Sequence, residues 1–96
     1  MPDTKNDLID WNGKTVLITG GTGSFGRRFA ETLLKQYKLG KLIILSRDEH
    51  KQHDMQQSSI FQGRDELRYF IGDVRDKDRL HMAMRGVDFV VHAAAL

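Results

Sequence analysis

The run KTVLITGGTGSFG at residues 14–26 constrains the fold more than any other part of the chain. An apolar, β-branched segment at 15–19 stops at three glycines spaced three apart, Gly20, Gly23 and Gly26, and helix-forming sequence follows. This is a strand, a tight turn and a helix start. Such a joint suits an anion, because the first amides of a helix have no carbonyl partner and the helix dipole presents its positive end there. Glycine lets a phosphate approach the backbone closely.

Two glycine templates overlap in this turn. Gly21, Gly23 and Gly26 make G-x-G-x-x-G, whereas Thr19 and Gly20 with Gly23 and Gly26 make T-G-x-x-G-x-x-G. Placed after a strand and ahead of an amphipathic helix, with a second strand beyond, the motif indicates dinucleotide binding, and Thr22, Ser24 and Phe25 join Gly20, Gly23 and Gly26 as expected cofactor contacts. A phosphate loop of the NTPase kind is excluded. Gly21 and Gly26 bracket four residues, but Arg27 and Arg28 follow where a lysine and a hydroxyl residue are required.

The remaining sequence alternates strand and helix. Ser24 is expected to cap the first helix, Phe25, Phe29, Leu33 and Tyr37 to form its buried face with Ala30 and Leu34, and Gly40 to end it. Residues 42–45 make a second buried strand. A polar helix over 48–57 is expected behind Asp48 as its cap, then a loop over 58–66 in which Ile60 and Phe61 look exposed. Residues 67–71 form a third strand, Asp76 opens a helix carrying Leu80, Ala83 and Met84 and closed by Gly86, and 87–93 form a fourth strand. Residues 1–13 read as an arm ending in an Asn12-Gly13 turn, with Trp11 packed on the sheet edge.

Connections this long imply parallel strands and right-handed crossovers. The expected fold is α/β, a doubly wound parallel sheet of the Rossmann type with strand order 3-2-1-4 and the glycine turn at the switch point. At 96 residues, and with an apolar end from Ala93 to Leu96 in place of a closing helix, residues 14–96 read as the N-terminal part of such a domain, truncated after strand 4.

Composition narrows the partners. Fifteen Lys and Arg against thirteen Asp and Glu leave a formal charge of +2 with the signs interspersed, which gives nucleic-acid binding no support. With no cysteine there is neither a disulfide nor a thiolate metal site. The first residues lack the pattern of a signal peptide and no apolar run approaches the ~20 residues of a membrane span, so a cytoplasmic protein without a membrane segment is expected.

The end of the second strand chooses between the nicotinamide cofactors. NAD calls for an acid accepting from the ribose hydroxyls, whereas a 2′-phosphate calls for Arg. Ser46 and Arg47 stand there, with Lys51 one turn on, which favours NADP over NAD. Arg47 could instead pair with Asp48, and Asp48 could hold a ribose if the loop is shifted. After strand 3, Asp73 is placed to accept from an adenine amino group while Val74 lines the ring; Asp73 could equally cap the turn. Ala93, Ala94 and Ala95 are small where bulk would collide with a cofactor, or where sheet and helix pack tightly.

Two other patterns are set aside. Tyr37 and Lys41 have the Y-x-x-x-K spacing of a reductase helix, but Gly40 separates them and Lys41 starts a strand. His50, His53 and Asp54 lie on a polar helix with no further partner, so no metal is assigned.

With these residues placed, the sequence resembles the extended short-chain dehydrogenase/reductases, and within them the UDP-N-acetylglucosamine 4,6-dehydratases of polysaccharide biosynthesis. The resemblance covers 13–96, through LITGGTGSFG (17–26), SRDEHKQ (46–52), FIGDVRDKDRL (70–80) and GVDFVVHAAAL (86–96). It implies a tightly held NADP that takes a hydride from C4 of the sugar, loss of water across C5 and C6, and return of the hydride to C6, with UDP-GlcNAc as the nucleotide-sugar substrate. In the family the catalytic Asp-Lys pair and the Tyr-x-x-x-Lys lie beyond strand 4, which places them past Leu96. No catalytic residue is therefore expected within these 96 residues, the chain alone is expected to be inactive, and a homo-oligomer is expected of the full-length parent. A nucleotide-sugar 4-epimerase of the same group, or a dinucleotide-binding module without chemistry, are the alternatives.

Overall fold

The computed structural model describes residues 10–93. Seven elements alternate without exception: β1 (Thr15–Thr19), α1 (Ser24–Gln36), β2 (Lys41–Ser46), α2 (Glu49–Gln57), β3 (Leu67–Ile71), α3 (Lys77–Ala83) and β4 (Phe89–His92). All strand pairs are parallel, in the order β3-β2-β1-β4. This is the expected Rossmann-type sheet. Right-handed crossovers from β1 through β2 to β3 put α1 and α2 on one face, and the return to β4 puts α3 on the other.

Both faces of the central strands are therefore covered, and their apolar residues run without alternation. Val16, Leu17 and Ile18 are fully buried, as are Leu42 and Ile44. Val16, Ile18, Leu42 and Ile44 pack under α1 with Ala30, Leu33 and Leu34, whereas Leu17, Ile43 and Leu45 pack under α3 with Ala83. Each such side chain contributes about 1.5–3 kcal/mol of transfer free energy, which is why these short runs specify the sheet.

Several local expectations are corrected. Gly23, not Ser24, is the N-cap of α1, and Ser24 is its first residue. Phe25 is 61% exposed instead of lying on the buried face, which Gly26, Ala30, Leu33 and Leu34 form. Gly40 does not end α1: the helix stops at Gln36, capped by Tyr37 whose N–H donates to Leu33 O. Gly40 is instead a close approach, since a Cβ there would stand 2.6 Å from Gly13 O. Phe61 is buried at 3% exposure and joins Met55 and Leu67 in the core, and Ile60 packs beside it. Met84, expected within the third helix, is instead its C-cap, just past Ala83, and is 42% exposed. The fourth strand is shorter than the 87–93 expected.

Other expectations hold. Asp48 caps α2 by accepting from Lys51 N–H, and Asp76 caps α3 by accepting from Arg79 N–H. Trp11 packs at the open edge, its ring 5.0 Å from Phe89 of β4 and 6.2 Å from Phe29 of α1. Asn12 ties the arm down, accepting from Lys38 N–H at 2.8 Å while Gly13 N–H donates to Lys38 O at 2.7 Å. The arm's residues 1–9 lie outside the described residues, as does the apolar end from Ala94 to Leu96.

Candidate cofactor site at the carboxyl edge of the sheet

Parallel register brings the last residues of the four strands to one edge: Thr19 pairs with Leu45 and His92, and Ser46 with Ile71. The glycine turn leaves β1 at that edge. Gly20 takes φ 69°, which a side chain would resist, and its N–H donates to Leu45 O at 2.8 Å. Gly26 must be glycine for a different reason. A Cβ on it would stand 2.6 Å from Gly20 O and 2.7 Å from Gly21 Cα, so α1 can seat against the turn only without one.

Gly23 is unlike both. An added Cβ would meet only Gly20 O, at an ordinary 3.5 Å, so nothing in the chain's own packing forbids a side chain. The first intrahelical bond of α1 runs from Arg27 N–H to Gly23 O, which leaves the amides of Ser24, Phe25 and Gly26 without helical acceptors. No side chain caps them and no acid lies in the first turn. The open space at Gly23 and these amides together form a cradle for an anion.

The neighbouring strand end is joined to the turn. Thr22 Oγ1 and Ser46 Oγ are 2.9 Å apart and buried, and Ser46 Oγ accepts from Asp48 N–H at 3.0 Å. One hydroxyl thus fixes both the glycine turn and the start of the loop carrying Arg47. The Arg47 guanidinium is 72% exposed, with Nη1 3.5 Å from Asp73 Oδ2, so its partner is Asp73 and not Asp48. Lys51 is exposed on α2, and its side chain makes no hydrogen bond or ion pair among the described residues.

Asp73 realises the turn-capping alternative. Its Oδ1 accepts from Arg75 N–H at 2.9 Å, and the Arg75 side chain grips both carboxylate oxygens. Hydrogen bonds from Arg75, then its charge and that of Arg47, hold the Asp73 carboxyl far below the usual carboxylate range, and Asp73 in turn raises Arg75. Val74 is half-buried against the Leu17, Ile43, Leu45 and Ala83 cluster. Ala93 N–H donates to Thr19 O at 2.8 Å, placing the small residue beside the turn. Ala94 and Ala95 lie outside the described residues, and so does Leu96.

Four residues at this edge were not singled out by sequence reasoning. Gln52, 3% exposed, donates from Nε2 to Phe70 O at 2.9 Å and to Ser46 O at 3.5 Å, stapling the ends of β2 and β3. Its signal was a glutamine three residues before Met55 on the buried side of α2. Arg79 donates from Nε to Ile71 O at 2.7 Å and lies over the Phe70 ring at 4.4 Å. His92 Nδ1 is 2.6 Å from Thr19 Oγ1, at the switch point itself. Arg75 is the fourth, signalled only by its spacing from Asp73. Among the described residues there is no metal-ligating cluster, and no helix is long and apolar enough to cross a membrane.

Comparison with known proteins bears on the family and the fold. The family described as "Polysaccharide biosynthesis protein" matches residues 16–96. A UDP-N-acetylglucosamine 4,6-dehydratase (inverting) of Campylobacter jejuni is 63% identical over 86 residues, 90% of this chain and 25% of that protein. A UDP-glucose 4-epimerase of Rickettsia akari is 48% identical over 86% of this chain and 24% of that protein. The X-ray structure of Pen from Bacillus thuringiensis superposes with a TM-score of 0.82 at 36% identity, covering 92% of this chain and 26% of that one. The chain spans about a quarter of the length of the curated relatives it matches. With its Rossmann-type sheet and a match running from Val16 to Leu96, the chain belongs to the polysaccharide biosynthesis protein family.

Proposed function

We propose that this chain is the NADP-binding part of a nucleotide-sugar 4,6-dehydratase acting on UDP-N-acetylglucosamine. The observation that carries the reading is the uncapped N-terminus of α1 at the switch point, with Gly23 open and Arg47 on the adjoining strand end. The amides of Ser24, Phe25 and Gly26 receive the pyrophosphate, while Gly20 and Gly26 let helix and strand close around it. Arg47, oriented through the Thr22–Ser46 pair, contacts the 2′-phosphate, and Lys51 adds a second positive charge from α2. Asp73 and Val74 border the adenine, and Ala93, next after β4 and followed in the sequence by Ala94 and Ala95, leaves room for the cofactor. When bound, the cofactor supplies a hydride acceptor and donor. These residues bind and orient it; the groups that move protons on the sugar belong to the rest of the protein, past Leu96.

The 63% identity to a UDP-N-acetylglucosamine 4,6-dehydratase supports this substrate and reaction. The 48% identity to a UDP-glucose 4-epimerase favours a second reading, epimerisation at C4 on the same cofactor platform. The complete gene product incubated with UDP-N-acetylglucosamine should yield a 4-keto-6-deoxy sugar nucleotide, followed by NMR, and should carry NADP when its cofactor is released and weighed. Formation of the C4 epimer in its place would move the assignment to the epimerase, and absence of both products would remove it.

A further inference from the structure

Two arginines flank one carboxylate where β2 and β3 end side by side. Arg47 follows Ser46, Arg75 follows Val74, and Asp73 stands between their guanidinium groups. These three side chains alone sum to +1, two positive charges against one negative. The carboxylate is not shared evenly. Arg75 Nη2 donates to Oδ2 at 2.8 Å, its Nε reaches both oxygens at 3.2 Å, and its backbone N–H donates to Oδ1 at 2.9 Å. Arg47 Nη1 is at ion-pair distance only, 3.5 Å, and among the described residues the Arg47 side chain donates no hydrogen bond.

We propose that Arg75 is a specificity-determining residue that occupies the Asp73 carboxylate and so keeps the donors of Arg47 available for a phosphomonoester at the ribose 2′ position. The inference rests on the reading of Arg47 given above. A carboxylate binds a guanidinium through two parallel hydrogen bonds, the same fork that recognises a phosphate. With Arg75 removed, the guanidinium nearest to Asp73 is that of Arg47, and closing the present gap would commit to Asp73 the donors the phosphate needs. The Arg47–Asp73 pair would then present no net positive charge to a dianion. With Arg75 in place, Asp73 is a neutralised neighbour, and Arg47 contributes the net charge. The strongly lowered Asp73 titration, caused first by Arg75, fits a carboxylate already committed to that partner.

The test uses the complete gene product and two probes that differ only in the phosphate at issue, adenosine 2′,5′-bisphosphate and adenosine 5′-monophosphate, with affinities from calorimetry. Arg75→Ala should weaken the bisphosphate roughly two- to fivefold, the range of one exposed charge pair, and leave the monophosphate unchanged. Adding Asp73→Asn to Arg75→Ala should restore the ratio, because the competing carboxylate is gone. The monophosphate affinity reports on the fold and the adenosine site in the variants that keep Asp73; in the double variant only the ratio is read, because Asp73 itself borders the adenine. Loss of both probes together, or an unrestored ratio in the double variant, would overturn the proposal, the latter pointing to direct contact between Arg75 and phosphate. Arg47→Ala separates the two readings. If it leaves the ratio intact, the assignment of Arg47 fails; if it collapses the ratio while Arg75→Ala does not, only the role of Arg75 fails.

Discussion

The N-termini of α1 and α2 lie at the same edge of the sheet, follow adjacent strands and face the same side, yet they are finished in opposite ways. At α2 the Asp48 carboxylate accepts from Lys51 N–H at 3.0 Å, and Glu49 adds negative charge to the first turn. At α1 the cap is Gly23, with no side-chain bond and no acid. An Asp, Asn or Ser cap is worth about 1 kcal/mol relative to alanine and a few tenths relative to glycine, so α1 forgoes a small stabilisation that α2 keeps. It can do so because its body is held by the core. Gly26, Ala30, Leu33 and Leu34 are buried along α1, whereas α2 buries only Gln52 and Met55. A helix anchored by its apolar face can leave its first turn open to a ligand; one lying on a polar surface needs its cap.

The comparison is broken most directly by giving α1 the end that α2 has. Gly23 has φ −73° and ψ 172°, an extended conformation that Asp adopts readily, and its Cβ direction is open. Gly23→Asp should therefore leave helix stability equal or raise it by a few tenths of a kcal/mol, while the new carboxylate accepts from the very amides assigned to the pyrophosphate. A carboxylate against a phosphate costs several kcal/mol, so NADP affinity should fall about a hundredfold or more. Retention of wild-type NADP content by the purified variant would show that the pyrophosphate does not sit on α1.

The converse change sharpens the other half. Asp48→Ala removes the only side-chain cap of a helix with little apolar anchorage, and should cost about 1 kcal/mol locally. Faster amide hydrogen exchange at Lys51 and Gln52, with α1 unaffected, is the expected result. Unchanged protection in α2 would mean that Gln52 and Met55, not the cap, hold it.

How legible these features were in the sequence follows from whether their causes are local. The strands at 15–19 and 67–71 and the caps Asp48 and Asp76 were legible because an apolar run or a capping residue acts within a few positions. Arg47 pairing with Asp73 was not, since that contact exists only because parallel register sets Ser46 beside Ile71. Phe25 and Phe61 exchanged their expected places for a related reason. Phe25 has the right helical period but stays exposed in the first turn of α1, stacked on Phe29 at 6.1 Å, whereas Phe61 lies in a polar loop that the crossover to β3 folds onto the core. The glycine motif was recognisable as a whole, but the sequence could not divide its labour. Only geometry shows that Gly26 serves helix packing, Gly20 the turn, and Gly23 open space.

The smallest expected effect concerns charge at the far side of the same edge, where β3 exits through Gly72 to Asp73. Its carboxyl is held far below the ordinary value by hydrogen bonds from Arg75 and by the charge of Arg75 and Arg47. A group whose folded titration is lowered stabilises the native state fully above its unfolded value, about 3.9 for Asp, and loses that contribution as pH falls toward the folded value. Between pH 5 and 8 this group should therefore add no slope to stability. Its effect appears only in acid, and it is modest because both arginines are exposed and salt screens them. Carbon-13 NMR of the Asp73 carboxyl should show no titration at pH 4, and in Arg75→Ala the midpoint should move back up toward the ordinary range. A wild-type midpoint already near 3.9 would mean that the Arg75 grip does not persist in solution. Asp73 would then be as free to meet Arg47 as the α1 amides are to meet a phosphate.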